Sequence, residues 1–176
     1  LFPDAQPNAA HKALAKLEQQ GKVRAVITQN IDGLHQAAGS KTVYELHGSV
    51  LQNYCMDCHA FYDEKFVLAS KDIPVCPVCG GRVKPDVVLY EESLDEQTIE
   101  NTIQAISHAD TLIIGGTSLV VYPAAGLIDY FHGKYLVLIN KSTTSADSKA
   151  DLVIHDSIGE VMKTAVDELL KRHPSA

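Results

Sequence analysis

Short apolar runs alternate with longer amphipathic stretches along most of this chain. The apolar runs predict strands at residues 23–28, 43–46, 111–114, 135–139 and 152–154. The amphipathic stretches predict helices that begin near residues 7, 94, 123 and 157, and a short helix is expected within residues 29–38. Alternation of this kind is typical of an α/β domain with a parallel sheet.

Residues with known helix-end preferences support these boundaries. The Pro7-Asn8 pair is expected to open the first helix, and Pro123 is expected to occupy the first helical position of a later one. Ser157 is a good N-cap, and Glu160 follows three residues later. This spacing predicts a capping box at the start of the last helix.

The four cysteines form two CxxC pairs, Cys55/Cys58 and Cys76/Cys79, and residues 59–75 separate the pairs. Each pair places two sulfur atoms on one tight turn, and two such turns at this separation can surround Zn²⁺ as a tetrahedron. Four thiolates leave no open position for water, so the predicted zinc is structural. Two disulfides, or four unrelated buried thiols, are the alternatives, and the neighbouring His59 is expected to be a surface residue.

The cysteine segment interrupts the α/β pattern and is predicted to be an insert. We expect this small domain at residues 48–83, with the main domain formed by residues 1–47 and 84–176. An extended stretch at residues 86–90 is expected to lead back into the main domain.

Composition excludes some classes of ligand. The chain has 176 residues, of which 45% are hydrophobic and 21% charged, with a formal net charge of −7 and a pI near 5.5. Direct nucleic-acid binding is not expected, because it requires a basic face. No apolar run is long enough to span a membrane. Four thiolates favour a reducing compartment, and we expect a cytoplasmic protein.

Polar residues that a simple connection would not need follow three of the predicted strands. They are Gln29, Asn30 and Asp32 after the first strand, Gly115-Gly116-Thr117-Ser118 after the third, and Asn140-Lys141 after the fourth. Amides, hydroxyls and a carboxylate could hold ribose or carboxamide groups, and the glycine-rich segment could bind phosphate oxygens. Each loop could instead be a helix cap or a turn. All three are expected at one edge of a single sheet, where open α/β sheets bind ligands.

His47 lies at the end of the second predicted strand, just before the insert, and Gly48 follows it. A histidine in this place could act as a general base near neutral pH, although a structural histidine is an equal alternative.

Six motifs follow one another along the chain: residues 28–35 (TQNIDGLH), 46–48 (LHG), the paired CxxC sequences, 84–88 (KPDVV), 116–119 (GTSL) and 140–141 (NK). In this order they resemble the motifs of the sirtuins, which are NAD-dependent protein lysine deacylases. The resemblance implies a Rossmann-like domain, with helices on both faces of its parallel sheet, and an inserted zinc ribbon.

The resemblance also implies a role for each candidate residue. His47 corresponds to the catalytic base, Val88 offers its backbone to a substrate peptide that enters as a strand, and Tyr90 flanks the acyl-lysine. The implied NAD-binding residues are Gln29, Asn30, Ile31 and Asp32 for nicotinamide and its ribose, Gly116, Thr117 and Ser118 for the phosphates and adenosine, Asn140 and Lys141 for the adenine ribose, and Ile158 for adenine.

The implied reaction consumes NAD. Nicotinamide leaves the ribose, the acyl oxygen captures the cationic centre, and His47 removes a proton from a ribose hydroxyl so that it attacks the resulting imidate. The products are free lysine, nicotinamide and O-acyl-ADP-ribose.

Three features depart from the family pattern. The glycine-rich Gly-Ala-Gly-x-Ser loop and its strand, followed by Asp-Phe-Arg, have no counterpart in these 176 residues. The resemblance therefore leads us to expect little deacylase activity and poor NAD affinity from residues 1–176 alone. In addition, Tyr90-Glu91-Glu92 stands where many members have Phe-Gly-Glu, and Gly33 where many have Arg.

Two other functions remain open at this point. One is a non-catalytic zinc-ribbon module that binds peptides or partner proteins, and the other is transfer of ADP-ribose from NAD to protein. Deacylation should require His47, whereas peptide binding alone should not.

Overall fold

The computed structural model describes residues 4–173, which divide into two compact units. The first unit combines Leu1–Ile27, Leu34–Tyr44 and Glu96–Ala176, within the described range, and the second combines Thr28–Gly33 with Glu45–Asp95. Among the described residues, no helix is sufficiently long and apolar to cross a membrane.

Helices and strands alternate as the sequence predicts. The helices are α1 (Ala9–Gln19), α2 (Leu34–Ala37), α3 (Glu64–Ala69), α4 (Glu96–Ser107) and α5 (Ile158–Arg172), with 3₁₀ helices at Ala124–Tyr130 and Asp147–Lys149. The strands are β1 (Val26–Thr28), β2 (Val43–Glu45), β3 (Gly48–Cys55), β4 (Phe61–Asp63), β5 (Val83–Val87), β6 (Thr111–Gly115), β7 (Tyr135–Ile139) and β8 (Leu152–Ile154). The predicted α/β class is confirmed.

A three-stranded parallel sheet in the order β6-β7-β8 is the centre of the first unit. On one face, Ile139 of β7 packs with buried side chains of α1 and α5, among them Leu17 and Met162. Leu136 and Leu138 alternate with these positions along β7 and are also buried. Apolar side chains therefore cover both faces of the central strand, which fixes the register of the sheet.

The second unit contains an antiparallel sheet in the order β4-β3-β5. β3 is its central strand, and its register with β5 shifts between Ser49 and Asn53. Residues 50–52 of β3 have no partner on β5, so the pairing of the two strands is interrupted there. The two ends of β3 thus serve different purposes, because Gly48 follows His47 at one end and Cys55 belongs to the cysteine cluster at the other.

The expectation that all three polar loops follow strands of one sheet is wrong for the described residues. β1 pairs with β2 in a separate two-stranded sheet, whereas β6 and β7 belong to the three-stranded parallel sheet. The main-chain bonds around β1 run from the Val26 N–H to the Thr42 carbonyl and from the Leu46 N–H to the Thr28 carbonyl. Of the three loops, those after β6 and β7 share a sheet edge in residues 4–173, and the loop after β1 does not.

Two predicted helix ends differ from the structure. Ser157 is the N-cap of α5, but its hydroxyl makes no capping bond, and its N–H instead donates to the Asp156 carboxylate over 2.6 Å. The predicted capping box is therefore wrong, because the neighbouring carboxylate meets the end of the helix. Pro123 is the N-cap of a 3₁₀ helix, after a cis Tyr122-Pro123 peptide bond, and does not occupy the first position of an α-helix.

The start of α1 is confirmed, and its capping box was not predicted. The Asn8 side chain accepts bonds from the N–H groups of Ala10 and His11, and the His11 ring accepts from the Asn8 N–H. His11 therefore takes the place that Glu or Gln usually has in this motif.

Candidate active site

Four sulfur atoms meet at the end of β3. The Sγ atoms of Cys55, Cys58, Cys76 and Cys79 all lie within 4.8 Å of one another. Cys55 Sγ is 3.4 Å from Cys79 Sγ, and Cys58 Sγ is 3.6 Å from Cys76 Sγ. A zinc tetrahedron with Zn–S bonds of about 2.3 Å has edges of about 3.8 Å, so these four thiols fit a zinc ion. All four are free cysteines, which excludes the disulfide alternative in this structure.

The backbone forms the two halves of this cluster in the same way. The His59 N–H donates to the Cys55 carbonyl over 3.0 Å, and the Gly80 N–H donates to the Cys76 carbonyl over 2.9 Å. Each CxxC pair therefore lies in a turn that is closed by one main-chain hydrogen bond between residues four apart in the sequence. His59 is exposed and lies outside the sulfur cluster, as the sequence predicts.

Tyr62 prepares one thiol for metal binding. Its hydroxyl lies 3.0 Å from Cys76 Sγ, and Cys76 is buried. The hydrogen bond from Tyr62 stabilises the thiolate and lowers the pKa of Cys76 to about 6. The lowered pKa favours the thiolate of Cys76, which is the form that binds a metal.

His47 lies between β2 and β3, directly before Gly48, and is half-buried. Its Nδ1 atom is 2.9 Å from the carbonyl oxygen of Gln29. A carbonyl oxygen can only accept a hydrogen bond, so Nδ1 must carry the proton. The neutral ring then has its lone pair on Nε2, which is the arrangement that a general base needs.

The loop after β1 accepts main-chain hydrogen bonds from residues that precede and follow His47 in the sequence. The Leu46 N–H donates to the Thr28 carbonyl over 2.9 Å, and the Val50 N–H donates to the Ile31 carbonyl over 3.0 Å. Asn30 is exposed, and its N–H bonds to the Thr28 hydroxyl. These bonds hold the loop that carries Gln29, Asn30, Ile31 and Asp32 against the residues on either side of His47.

Gly33 ends this loop in a conformation that requires glycine. Its φ is +68°, and a Cβ atom would overlap the Leu51 side chain of β3. The glycine therefore allows the loop to approach β3 closely, and an arginine could not replace it without rearrangement.

The segment after β5 is bonded to His47 through its main chain. The Val88 N–H donates to the His47 carbonyl over 3.0 Å. Val88 is half-buried, whereas the Tyr90 side chain is fully exposed. The structure therefore brings Val88 to the candidate base and leaves Tyr90 open to solvent within the described residues.

Glu92 holds the following turn, and the sequence analysis missed this role. Its carboxylate accepts from the Leu89 N–H over 2.8 Å and pairs with the Lys84 ammonium at 2.9 Å. These bonds, that from Leu89 first, lower the pKa of the Glu92 carboxyl. Glu91 has a φ of +72° in the same turn. The Lys84 motif and the Tyr90-Glu91-Glu92 segment were both noted in the sequence, but their pairing eight residues apart has no local signature.

The remaining candidates lie at the carboxyl end of the parallel sheet in the first unit. The Gly116 N–H donates to the Ile139 carbonyl, and a Cβ atom on Gly115 would overlap the Ile158 side chain. Ile158 thus packs against the glycine-rich segment. The Thr117 hydroxyl accepts from the Leu119 N–H over 3.2 Å, and Ser118 is exposed. Asn140 donates through Nδ2 to the Ser142 carbonyl, and Lys141 is exposed.

Comparison with known proteins assigns the chain to a family. Residues 1–123 match the model of the Sir2 family. A protein of Clostridium perfringens, an NAD-dependent protein deacetylase, is 71% identical over 168 residues, which cover 95% of this chain and 69% of that protein. A protein of Clostridium acetobutylicum with the same name is 65% identical over 167 residues, covering 94% of this chain and 68% of that protein.

Solved structures agree with these relatives. A Sir2 protein in complex with a p53 peptide and NAD⁺ has a TM-score of 0.86 and 42% identity, over 95% of this chain and 72% of that one. A Sir2 homologue in complex with NAD has a TM-score of 0.89 and 36% identity, over 97% of this chain and 67% of that one. The sequence motifs, the sulfur cluster and the fold all agree with these matches, and the chain therefore belongs to the Sir2 family of NAD-dependent protein deacetylases.

Proposed function

We propose that the full-length protein removes acetyl groups from lysine side chains of proteins, in a reaction that consumes NAD, and that residues 1–176 contribute the base and part of the NAD site. The observation that carries the proposal is the hydrogen bond from Nδ1 of His47 to the Gln29 carbonyl, because it leaves Nε2 free to accept a proton. NAD, when bound, supplies a ribose carbon from which nicotinamide can leave. His47 Nε2 would accept the proton of a ribose hydroxyl and so make its oxygen a nucleophile.

The loop after β1 would bind the reacting half of NAD. Asn30 and Asp32 are exposed there, and Gln29 and Ile31 are partly exposed beside His47. Their amide and carboxylate groups suit a ribose and a carboxamide. The Gly116-Thr117-Ser118 segment, Asn140, Lys141 and Ile158 would bind the phosphates and the adenosine, because backbone donors and a hydroxyl collect at the carboxyl end of the parallel sheet.

Val88 would recognise the acetylated lysine through its carbonyl oxygen. Its N–H is already bonded to the His47 carbonyl, so the carbonyl is the main-chain group that it can offer to a substrate. A solved Sir2 structure holds an acetylated peptide. We propose the same class of substrate here, bound in extended form along Val88 and close to Tyr90.

The zinc ion would have a structural role in this activity. The four cysteines lie at the opposite end of β3 from His47, and they would fix the sheet that also supports Val88. We propose that residues 48–83 are a zinc-ribbon insert in a Rossmann-like domain. A reducing compartment such as the cytoplasm would keep the thiolates available for the metal.

An assay of the full-length protein tests the proposal directly. An acetyl-lysine peptide is incubated with and without NAD, and both the peptide mass and free nicotinamide are measured. We expect loss of the acetyl group only with NAD, with one nicotinamide released per acetyl group. Nicotinamide release with ADP-ribose attached to protein, and the acetyl group retained, would instead establish ADP-ribosyl transfer. Peptide binding without any turnover would establish a binding module.

A further inference from the structure

A histidine after β8 joins the two ends of the loop that follows β7. Nδ1 of His155 is 3.0 Å from the carbonyl oxygen of Asn140, the first residue of that loop. Nε2 of His155 is 3.2 Å from Oδ2 of Asp147, where the second 3₁₀ helix begins. The imidazole therefore contacts both the first and the last residue of the 140–147 segment.

The chemistry of these partners determines the hydrogen-bonding role of each ring nitrogen of His155. A carbonyl oxygen and an ionised carboxylate both accept hydrogen bonds and cannot donate them. A ring nitrogen can therefore bond either partner only by donating a proton, Nδ1 to the Asn140 carbonyl and Nε2 to the Asp147 carboxylate. When the ring carries both protons, the contact with Asp147 is a charged pair as well as a hydrogen bond.

Asp147 is held as the anion that such a pair requires. Its Oδ1 atom accepts from the Thr144 hydroxyl over 2.7 Å and from the Thr144 N–H over 2.9 Å. These bonds, together with His155, lower the pKa of the Asp147 carboxyl. Its two oxygens thus have separate partners, Thr144 inside the loop and His155 directly after β8.

Asn140 is bonded at three points as a result. Its N–H donates to the Ile154 carbonyl over 3.1 Å, its carbonyl accepts from His155, and its Nδ2 donates to the Ser142 carbonyl over 3.0 Å. Oδ1 is left as the side-chain atom that can accept from a ribose hydroxyl. The orientation of that oxygen depends on the position of the Asn140 backbone, which His155 helps to hold.

We propose that His155 is a positioning residue for NAD, which sets Asn140 for the adenine ribose by holding both ends of the loop. This inference rests on the proposed function, because Asn140 matters only if NAD is the cosubstrate. His155 does not touch the reacting ribose or the acetyl group in this account. Its loss should therefore weaken NAD binding and leave the chemical step intact.

Kinetics of the full-length enzyme separate this role from general damage. His155→Ala should raise the KM for NAD about three- to fivefold, the scale of a partly exposed charged hydrogen bond. The kcat and the KM for the acetylated peptide should stay within twofold of wild type. His155→Gln, which keeps donor groups but no charge, should recover part of the loss. His108→Ala is the matched control, because the partners of its ring within the described residues are Ser107 and the Gln104 carbonyl of the preceding helix.

A second pair of variants tests the connection itself. Asp147→Asn should also raise the KM for NAD. In the double variant with His155→Ala, the fold-increase in KM should be smaller than the product of the two single fold-increases, because the two residues act through one contact. Calorimetric titration with ADP-ribose, which measures binding without turnover, should show weaker affinity in the same variants. If His155→Ala folds poorly, His155→Gln and Asp147→Asn give the same comparison.

Two results would overturn the inference while leaving the proposed function in place. One is an unchanged KM for NAD and unchanged ADP-ribose affinity in the His155 and Asp147 variants of an active enzyme. The other is a parallel fall in kcat and in affinity for both substrates, which would indicate structural damage. A wild-type enzyme without NAD-dependent deacetylation would refute the proposed function itself.

Discussion

The carbonyl oxygen of Gln29 lies 2.9 Å from Nδ1 of His47, and this main-chain contact determines which nitrogen of the ring is basic. The contact involves no side-chain atom of Gln29. Replacing the Gln29 side chain should therefore change cofactor binding without changing the tautomer of His47. A change in the backbone path of residues 28–31 would affect both.

His47→Ala should lower deacetylation by about a hundredfold or more, because a general base usually contributes on that scale. Turnover of an acetylated peptide by the full-length enzyme measures the effect. His132→Ala, which removes an exposed histidine at the end of the first 3₁₀ helix, is the control and should be neutral. Acetyl removal at the normal rate in His47→Ala would show that another group accepts the proton.

One zinc ion should bind to each chain through the four cysteines, and metal analysis of protein purified without chelator should find close to one equivalent. Cys76→Ser should lose the metal and destabilise the β4-β3-β5 sheet, because apparent binding energies of such sites reach about 10 kcal/mol or more. Val78→Ala changes an exposed residue between two ligands and should retain the zinc. A full equivalent of zinc in Cys76→Ser would contradict the assignment of ligands.

Gly48→Ala should be much more destabilising than Gly21→Ala. Both glycines have a positive φ, +74° and +66°, so each substitution carries the conformational penalty of roughly 1–2 kcal/mol. A Cβ atom on Gly48 would also overlap the Asp86 carbonyl, whereas one on Gly21 meets no atom within 4 Å. We expect a total cost of roughly 3 kcal/mol or more at Gly48, measured by chemical denaturation. Equal costs at the two sites would show that β3 and β5 separate easily.

Glu18 should make the stability of the first unit depend on pH in acid. Partial burial opposes its ionisation, but the N–H groups of Lys41 and Thr42, 2.8 and 2.7 Å from its oxygens, lower the pKa of its carboxyl. The resulting stabilisation is complete above the ordinary pKa of glutamate and is lost as the pH falls through the lower value in the folded state. Glu18→Gln should therefore cost about 1 kcal/mol near neutral pH and nothing in strong acid.

Thermal unfolding at a series of pH values measures this difference. Glu168→Gln, which breaks only a surface pair with Lys171, is the control and should show little change at any pH. A constant difference between wild type and Glu18→Gln across the acid range would mean that the carboxylate charge does not contribute.

Local patterns in the sequence predicted much of this fold. The strands at residues 135–139 and 152–154 are found at the predicted positions, because a short continuous apolar run is typical of a strand in a parallel sheet. The cysteine cluster was also predictable, because ligands two residues apart define their own geometry. The start of α1 at Asn8 follows from the capping preference of asparagine.

Contacts between distant segments could not be predicted in this way. Nothing in the sequence specifies that the His47 ring bonds to a carbonyl eighteen residues away, or that β1 and β6 lie in different sheets. The capping box predicted at Ser157 is wrong for a similar reason. The Ser157 N–H bonds to the Asp156 carboxylate, and the orientation of that carboxylate is set in the folded chain. Glu91 adopts a positive φ although it is not a glycine, since Glu92 and Lys84 hold the turn.

The bond between the Val88 N–H and the His47 carbonyl has a kinetic consequence. The residue proposed to select the acetylated lysine and the residue proposed to move the proton share one rigid main-chain link. A substrate that displaces Val88 from its ideal position would also displace the base. Discrimination among acyl-lysine substrates by this enzyme should therefore appear in the rate of turnover as well as in affinity, and a poor substrate would bind and react slowly.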